Sequence, residues 1–396
     1  MNRTVDVLVV GAGPAGLALA RRLAGAGAGR IEVVEREQDA GGVPRHCDHG
    51  GFGRPSRPWL RGPEYARRAT EAAVGAGASV RTGVSATGWA GPLSLDTTSP
   101  AALERITARA VVLATGARER PRSARLVPGS RPAGVLTTGE LQQSVHLYGQ
   151  AVGRRAVVVG AEPVARHAVR TLRRAGAQVV AVVTDRPRGT ALPGVPLLTA
   201  TTVARLRGRG RLSGVVLQHA DGRSGVLACD TVVFTGDWIP DHELARRGGV
   251  TLDPGTRGPC VDASFRTSTP GVFAVGNVLH GIESAATAAA EGAAAAASVL
   301  AHLSGAAWPG AGVPLAVRAP LVWVTPSRVT GLAGRPLLLR SGEALTSPVV
   351  TVGQDGRLLW RRRFPGRVSP SRSLRLPQGW TAGVDLTGGP VVVRLG

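Results

Sequence analysis

The sequence has 396 residues, or about 2.6 domains of typical length, and its 43% hydrophobic and 19% charged residues exclude wholesale disorder. The formal net charge is +22, but all 48 basic residues are Arg and no nucleic-acid-binding motif accompanies them, so we predict no nucleic-acid partner. No apolar stretch reaches the roughly 18 residues of a membrane span, so no integral membrane segment is predicted.

The first 35 residues predict a strand, a glycine-rich turn, a helix and a second strand. An apolar run at 5–10 leads into the turn Gly11-Ala12-Gly13-Pro14-Ala15-Gly16, and apolar residues then recur at helical spacing. The second strand, residues 31–35, ends at Glu35, close to the roughly 20-residue spacing expected for an acid that binds a ribose hydroxyl. Because such a turn suits a pyrophosphate, we predict a dinucleotide site here.

Two later segments continue this pattern. An apolar run at 110–113 leads into Ala114-Thr115-Gly116-Ala117, and another strand pattern, within 267–277, ends in Gly276-Asn277. A helix predicted from Glu283 to residue 300 follows. Glu283 and Ser284 open it, where an acid and a hydroxyl stabilise free amide groups.

Together these segments resemble the FAD proteins of the pyridine nucleotide-disulfide oxidoreductase family. The resemblance implies an α/β fold with two Rossmann-like dinucleotide-binding domains, in which the FAD domain is discontinuous and formed by residues 1–120 and 237–308. The family's late motif usually ends in Asp, whereas this chain has Asn277, whose amide oxygen can accept the same ribityl hydrogen bond. The helix that follows would point its N-terminus at the flavin pyrimidine. The implied cofactor-binding residues are Gly11, Gly13, Pro14, Ala15, Gly16, Glu35, Arg36, Gly42, Arg45, Ala114, Thr115, Gly116, Gly276, Asn277, Glu283 and Ser284.

Between these pieces, residues 156–183 repeat the order of strand, turn, helix and strand, in a domain predicted to span 121–236. It is similar to the family's NAD(P)H domain, but Glu162 stands where the second glycine of the fingerprint is expected. Because a carboxylate there would repel a pyrophosphate, we predict that the domain is degenerate. The alternative is that Glu162 is a helix-start acid without functional meaning.

The loop after Glu35 carries the candidate catalytic residues Arg45, His46 and Cys47. Arg45 suits a carboxylate or the electron-rich edge of a flavin, and His46 suits proton transfer near physiological pH. For both, the alternative is that they only brace the loop. Cys47 either forms a transient adduct or packs as a small buried hydrophobe. In the disulfide reductases of that family this region carries two cysteines with four residues between them, but Phe52 stands where the partner of Cys47 would be, so we predict no redox-active disulfide. No second cluster of ligands accompanies the His and Cys residues of this loop, so we predict no metal site.

This loop, residues 62–68 and the turn at 160–162 resemble more closely the FAD subunits of opine oxidases, hydrogen cyanide synthase and heteromeric amino-acid dehydrogenases. The resemblance implies an FAD-dependent oxidoreductase that passes electrons from an amine, amino acid or hydroxy acid to a partner or acceptor. The implied partners are a separate iron–sulfur protein, because this chain lacks cluster cysteines, and a second oxidoreductase subunit. The alternatives are an NAD(P)H-dependent FAD reductase and an electron-transfer or scaffold subunit with no organic substrate of its own.

Residues 311–396 change to short Val, Leu and Trp runs and predict a small C-terminal β domain. Asp355-Gly356 lies between two apolar runs and predicts a hairpin. No secretory signal precedes the first strand, and three scattered cysteines fit a reducing compartment. We therefore expect a cytoplasmic protein, with attraction to an acidic membrane surface left open.

Overall fold

The structure is a computed structural model that describes residues 1–53, 60–189, 191–331 and 335–396. The helices in these ranges are α1 (Pro14–Gly25), α2 (Gly62–Gly75), α3 (Thr138–His146), α4 (Pro163–Arg174), α5 (Glu243–Arg247) and α6 (Ala285–Leu303). The strands begin with β1 (Asn2–Val10), β2 (Ile31–Val34), β3 (Ser79–Arg81), β4 (Ser85–Gly91), β5 (Ser94–Thr98), β6 (Leu103–Leu113), β7 (Ala117–Glu119), β8 (Val135–Thr137), β9 (Arg155–Val159), β10 (Gln178–Val183) and β11 (Leu197–Leu198). They continue with β12 (Thr201–Arg209), β13 (Arg211–His219), β14 (Ser224–Leu227), β15 (Thr231–Phe234), β16 (Trp238–Pro240), β17 (Val272–Ala274), β18 (Val313–Val317), β19 (Leu321–Thr325), β20 (Arg328–Val329), β21 (Leu337–Ser341), β22 (Leu345–Thr346), β23 (Val349–Gln354), β24 (Arg357–Arg363), β25 (Arg367–Val368), β26 (Leu374–Leu376) and β27 (Val391–Leu395).

The first α/β unit is built on a sheet of order β3-β2-β1-β6-β5-β4, in which β17 also pairs with β6. Strands β1, β2, β3, β6 and β17 are parallel, and β4 and β5 add an antiparallel meander. Val7, Leu8 and Val9 are all buried, as expected for a parallel strand covered on both faces. Helices α1 and α6 pack closely because Gly292 is small: a Cβ there would lie 2.0 Å from the Ala15 carbonyl oxygen.

The second α/β unit has the parallel order β11-β10-β9-β15-β8. Leu141 of α3 and Leu172 of α4 are buried in one hydrophobic cluster with strands of this sheet. The antiparallel sheet β12-β13-β14 contributes Leu206 and Val215 to a second cluster, which also contains Val157 of β9. The parallel sheet of the second unit is therefore covered by apolar side chains from helices and from the antiparallel sheet.

The two α/β units are joined by a pair of antiparallel strands, β7 and β16. Ala117 lies opposite Pro240, and Glu119 lies opposite Trp238. Beyond the strands, the Arg120 amide donates to the Asp237 carbonyl at 2.9 Å, and its guanidinium pairs with the Asp237 carboxylate at 2.7 Å. The two segments that connect the α/β units are thus hydrogen-bonded to each other. We call this pair of strands, β7 and β16, the joint.

The C-terminal unit is made of β sheets with the orders β20-β18-β27-β23-β24, β19-β21-β26 and β22-β25. The predicted hairpin is confirmed, because β23 and β24 pair around Asp355 and Gly356, whose φ angles of 48° and 81° suit a tight two-residue turn. The unit packs on the first α/β unit, where the Ser327 amide donates to the Val261 carbonyl at 3.0 Å.

The predicted fold class is confirmed: two Rossmann-like α/β units, the first assembled from separated pieces of the chain, and a C-terminal β unit. The residue numbers predicted for the domain boundaries stay predictions. None of the helices in the described residues combines the length and apolar character needed to cross a bilayer.

Candidate functional site

The candidate site lies at the carboxyl edge of the first sheet, where several strands end side by side. Val10 of β1 pairs in register with Val34 of β2 and with Leu113 of β6, and Leu113 also pairs with Ala274 of β17. The predicted motif residues that follow these strands therefore meet at one edge: Gly11, Glu35, Ala114 and Gly276. In open parallel sheets, ligands bind at this edge.

The glycine-rich turn after β1 is closely packed on one side and open on the other. Gly11 has a φ of +106°, and a Cβ on it would lie 2.4 Å from the Ala114 carbonyl oxygen. A Cβ on Gly16 would lie 2.1 Å from the Gly11 carbonyl oxygen, whereas a Cβ on Gly13 would have no atom within 4 Å. Gly13 caps α1 without a side-chain hydrogen bond, and Pro14 opens the helix. The first amides of α1 are thus available to an anion.

Glu35 is buried over this turn. Its Oε2 accepts from the Ala12 amide at 2.9 Å, and its Oε1 accepts from the Glu37 amide at 3.1 Å. Each carboxylate oxygen has a second lone pair, so Glu35 can still accept from a ribose hydroxyl.

Asp241, which no sequence motif indicated, contacts three of the predicted residues. Its carboxylate pairs with Arg36 at 3.3 Å, its carbonyl accepts from the Thr115 hydroxyl at 2.7 Å, and its amide donates to the Gly116 carbonyl at 2.9 Å. Arg36 is therefore paired within the chain and lies at the rim of the site.

The late motif presents a free acceptor. Gly276 has a φ of +75° and packs on α1, since a Cβ there would lie 2.6 Å from the Ala15 Cβ. The Asn277 Nδ2 donates to the Glu283 carbonyl at 3.0 Å. Within the described part of the chain, the buried Asn277 Oδ1 has no hydrogen-bond partner. A buried acceptor left without a donor fits a ligand hydroxyl at this position.

Ser284 and Glu283 behave differently at the start of α6. Ser284 caps the helix by accepting from the Thr287 amide at 3.1 Å, a role compatible with the one predicted toward the cofactor. The Glu283 carboxylate turns to the C-terminal unit and pairs with Arg340 at 2.6 Å. Both side chains are thus engaged within the chain, and the role of this segment toward a cofactor stays a prediction.

The loop after Glu35 returns to the glycine turn. Gly42 has a φ of +64°, and a Cβ on it would lie 2.9 Å from the Gly13 Cα. Arg45 donates to the Asp39 carbonyl at 3.1 Å and to its carboxylate at 3.3 Å. These contacts favour the bracing role for Arg45 over a carboxylate-binding one.

Burial shifts the pKa values of His46 and Cys47 in opposite directions. Burial and the neighbouring charge of Arg45 lower the pKa of His46 to about 4, so the ring is neutral near physiological pH and does not titrate there. Burial, with the Glu119 carboxylate nearby, raises the pKa of the Cys47 thiol to about 12. Since the thiolate is the nucleophile, Cys47 is unsuited to adduct formation and packs as a buried thiol.

Contacts to the second α/β unit hold this loop in place. The Cys47 thiol lies 3.4 Å from the Gln142 amide oxygen of α3, and the His49 ring stacks on His167 of α4 with centroids 3.6 Å apart. An ion pair between Asp48 and Arg174 at 3.0 Å adds to the contact.

Glu119 is a functional candidate that the sequence motifs did not indicate. This β7 residue is buried beside Cys47, and its Oε2 accepts from the Gly139 amide at the start of α3 at 2.7 Å. Its Oε1 has no partner among the described residues. Burial raises the pKa of Glu119 to about 7, although the Gly139 amide opposes the shift. A carboxyl whose pKa is raised into this range suits proton transfer near neutral pH.

In the second unit, Glu162 folds back over the turn between β9 and α4. Its Oε2 accepts from the Thr235 hydroxyl at 2.8 Å. A Cβ on Gly160 would lie 2.5 Å from Oε2, and one on Gly236 would lie 2.8 Å from Oε1. The carboxylate thus lies at this strand edge, where a pyrophosphate would bind in a Rossmann-like domain.

Comparisons with known proteins agree with this architecture. Residues 5–292 match the family model described as pyridine nucleotide-disulphide oxidoreductase. Over 340 residues the chain is 28% identical to an opine oxidase subunit of Rhizobium meliloti, and over 265 residues it is 29% identical to the alpha subunit of sarcosine oxidase from Rhizobium meliloti (strain 1021). These matches cover 75% and 62% of this chain, but only 63% and 25% of the relatives, less than two thirds of either.

The fold is also similar to that of a solved protein. The crystal structure of T. acidophilum thioredoxin reductase superposes with a TM-score of 0.63 at 23% identity, covering 76% of this chain and 98% of that one. With a family match over most of its length and this fold, the chain belongs to the pyridine nucleotide-disulphide oxidoreductase family.

Proposed function

We propose that this chain is an FAD-dependent oxidoreductase that passes electrons from an amine, amino acid or hydroxy acid to a partner protein or acceptor. The observation that carries the proposal is the convergence of Gly11, Glu35, Ala114 and Gly276 at one strand edge, with the free Asn277 Oδ1 beside them. When bound, FAD supplies a two-electron acceptor.

The residues present fit this cofactor. The amides after Gly13 and the start of α1 would hold the pyrophosphate, and Glu35 would accept from a ribose hydroxyl. Asn277 would accept from a ribityl hydroxyl through Oδ1, while Nδ2 stays bound to the Glu283 carbonyl. Gly42 allows the loop to close against Gly13.

We propose that Glu119 transfers a proton to or from the substrate or another group in the site. Glu119 lies on β7 beside Cys47, which belongs to the predicted catalytic loop. One of its carboxylate oxygens has no partner in the described chain, and its pKa of about 7 suits a general base. His46 and Arg45 then shape the site as a neutral ring and a braced guanidinium. We further propose that no redox-active disulfide takes part, because the Cys47 thiol is buried against Gln142.

The relatives' names suggest which molecules are oxidised. Sarcosine and opines are secondary amines with a carboxylate, and both relatives are named as subunits of oxidases. We propose that this chain also works beside a second oxidoreductase subunit that oxidises such an amine, and that any iron–sulfur cluster is held by a separate protein.

An NAD(P)H-dependent reductase remains the second candidate, since the second α/β unit keeps the strand order of a nucleotide domain. The Glu162 carboxylate over its turn speaks against nicotinamide binding. The third candidate is an electron-transfer subunit with no organic substrate of its own.

The deciding experiment is an anaerobic visible spectrum of the purified chain, titrated separately with NADH, NADPH, secondary amines, amino acids and hydroxy acids. Bleaching of a bound flavin by an amine, amino acid or hydroxy acid but not by nicotinamides supports the proposal. Rapid bleaching by NADH favours the reductase, and a flavin reduced by none of them favours the electron-transfer subunit. A chain that binds no FAD refutes the proposed function.

A further inference from the structure

The C-terminal β unit reaches the late motif through two buried ion pairs. Arg335 donates from Nη1 to the Glu291 Oε1 at 3.0 Å, and Arg340 donates from Nη2 to the Glu283 Oε1 at 2.6 Å. The side chains are well shielded, with 7% of Glu291 and 7% of Arg340 exposed to solvent. Arg335 lies before β21 and Arg340 lies within it, whereas both glutamates belong to the segment around α6.

Each glutamate also holds the motif itself. The Glu291 Oε2 accepts from the Gly276 amide at 3.2 Å, and the Glu283 carbonyl accepts from the Asn277 Nδ2 at 3.0 Å. Because Nδ2 donates to this carbonyl, the orientation of the Asn277 amide is fixed and with it the position of the acceptor Oδ1. The orientation of the proposed cofactor ligand therefore depends on residues that are tied to the C-terminal unit.

His280 strengthens the same contact. Its Nε2 lies 3.0 Å from the Glu291 Oε1, and its ring stacks on Trp323 of β19 with centroids 5.7 Å apart. Burial opposes a charge on the ring, but the Glu291 carboxylate outweighs it and raises the pKa of His280. The guanidinium of Arg335 also lies 3.8 Å from the centroid of the Phe265 ring. Removing one partner from such a buried group leaves a charge uncompensated, which is strongly destabilising.

We propose that the C-terminal β unit completes the cofactor site, with Arg335 and Arg340 as positioning residues, so that FAD binding and docking of this unit strengthen each other. The inference rests on the proposed function, because it requires that the chain binds FAD. Such coupling is reciprocal: whatever docking contributes to FAD affinity, bound FAD contributes equally to docking.

The first test measures the FAD dissociation constant of the full-length apoprotein by flavin fluorescence. We expect Arg340→Met and Arg335→Met to weaken FAD binding by about 5- to 150-fold, the usual range of coupling between sites. The matched control is Arg361→Met, on the exposed face of β24 in the same unit, which should bind FAD like the wild type.

A double-mutant cycle keeps the test decisive if Arg335→Met fails to fold. Glu283→Gln removes the carboxylate charge from the 2.6 Å ion pair with Arg340, and it changes no residue of the C-terminal unit. We expect Glu283→Gln and Arg340→Met each to weaken FAD binding and their combination to be no worse than the poorer single variant. Additive losses would show that the pair does not carry the coupling and would overturn the proposal.

The second readout is hydrogen exchange of the wild type with and without FAD. We expect bound FAD to slow amide exchange in β21, and this protection to disappear in Arg340→Met. A wild type that binds FAD, with exchange in β21 unchanged and Arg340→Met equal to Arg361→Met, overturns this inference alone. A wild type that binds no FAD overturns the proposed function as well.

Discussion

Removing the Glu162 carboxylate should open the nucleotide turn of the second α/β unit. The carboxylate lies over Gly160 and Gly236 at the strand edge and is held there by Thr235 at 2.8 Å. Two unit charges about 4 Å apart repel by about 4 kcal/mol at an effective dielectric constant of about 20. Repulsion of this size against one phosphate charge raises the dissociation constant of the nucleotide by a factor of roughly 1,000.

Two substitutions separate charge from volume. Glu162→Gln removes the charge and keeps the shape, whereas Glu162→Gly also frees the crevice and suits an N-cap position. We expect NADH or NADPH to bind Glu162→Gln at least about 100-fold more tightly than the wild type. Glu162→Gly should gain further from the space released. Isothermal titration of the oxidised protein measures both, and Glu243→Gln, on the exposed side of α5, controls for a general change in charge.

Specific results would refute this reasoning. If both variants fold as the wild type does and neither binds nicotinamide nucleotides more tightly, the carboxylate does not block the site. If the wild type already binds NADH in the micromolar range, the crevice is not obstructed at all.

Burial and close packing lead to three further predictions. Because burial raises the pKa of Glu119 from 4.5 to about 7, the folded chain retains a proton that the unfolded chain loses, and stability should fall by at most about 3 kcal/mol as the pH rises through this range. Glu119→Gln should lack this loss in urea unfolding at pH 5 and 8, and an unchanged pH dependence would contradict the shift. Gly292→Ala should lower the free energy of unfolding by about 1–3 kcal/mol or more, because the new Cβ would lie 2.0 Å from the Ala15 carbonyl oxygen. The control is Gly25→Ala, where a Cβ would have no atom within 4 Å, and which should be neutral or stabilising in thermal unfolding. With a pKa of about 12, about one Cys47 in 10,000 is a thiolate at pH 8, so iodoacetamide should label it far more slowly in the native chain than in urea; equal rates by mass spectrometry would refute its burial as a thiol.

Local patterns predicted the parts of the site that lie within a few residues of one another. The turn from Gly11 to Gly16 and the Asp355-Gly356 hairpin were readable because a positive φ or a missing Cβ is needed at those positions. The acid at Glu35 was readable from its spacing alone. These features have signals in residue type and spacing along the chain, which a sequence shows directly.

The remaining features depend on contacts that no local pattern encodes. Asp241 meets Arg36 across 205 residues, and Arg340 meets Glu283 across 57. The pKa of His46 depends on burial, which lowers it to about 4 and which the sequence does not state. Glu119 follows the Ala114-Thr115-Gly116 turn by only a few residues, so a search for acids just beyond each motif would have found it.

The joint of β7 and β16 brings the entry and the exit of the second α/β unit side by side. The chain enters this unit at Ala117 and leaves it at Pro240, directly opposite, and the Arg120–Asp237 pair fastens both crossings just beyond. The cut ends of a deletion would therefore already lie within hydrogen-bonding distance of each other. A short loop across them would leave the first sheet with all of its strands, while removing Glu119 and the contacts that hold the loop after Glu35. Such a deletion would separate the contribution of the first sheet to cofactor binding from that of the second unit.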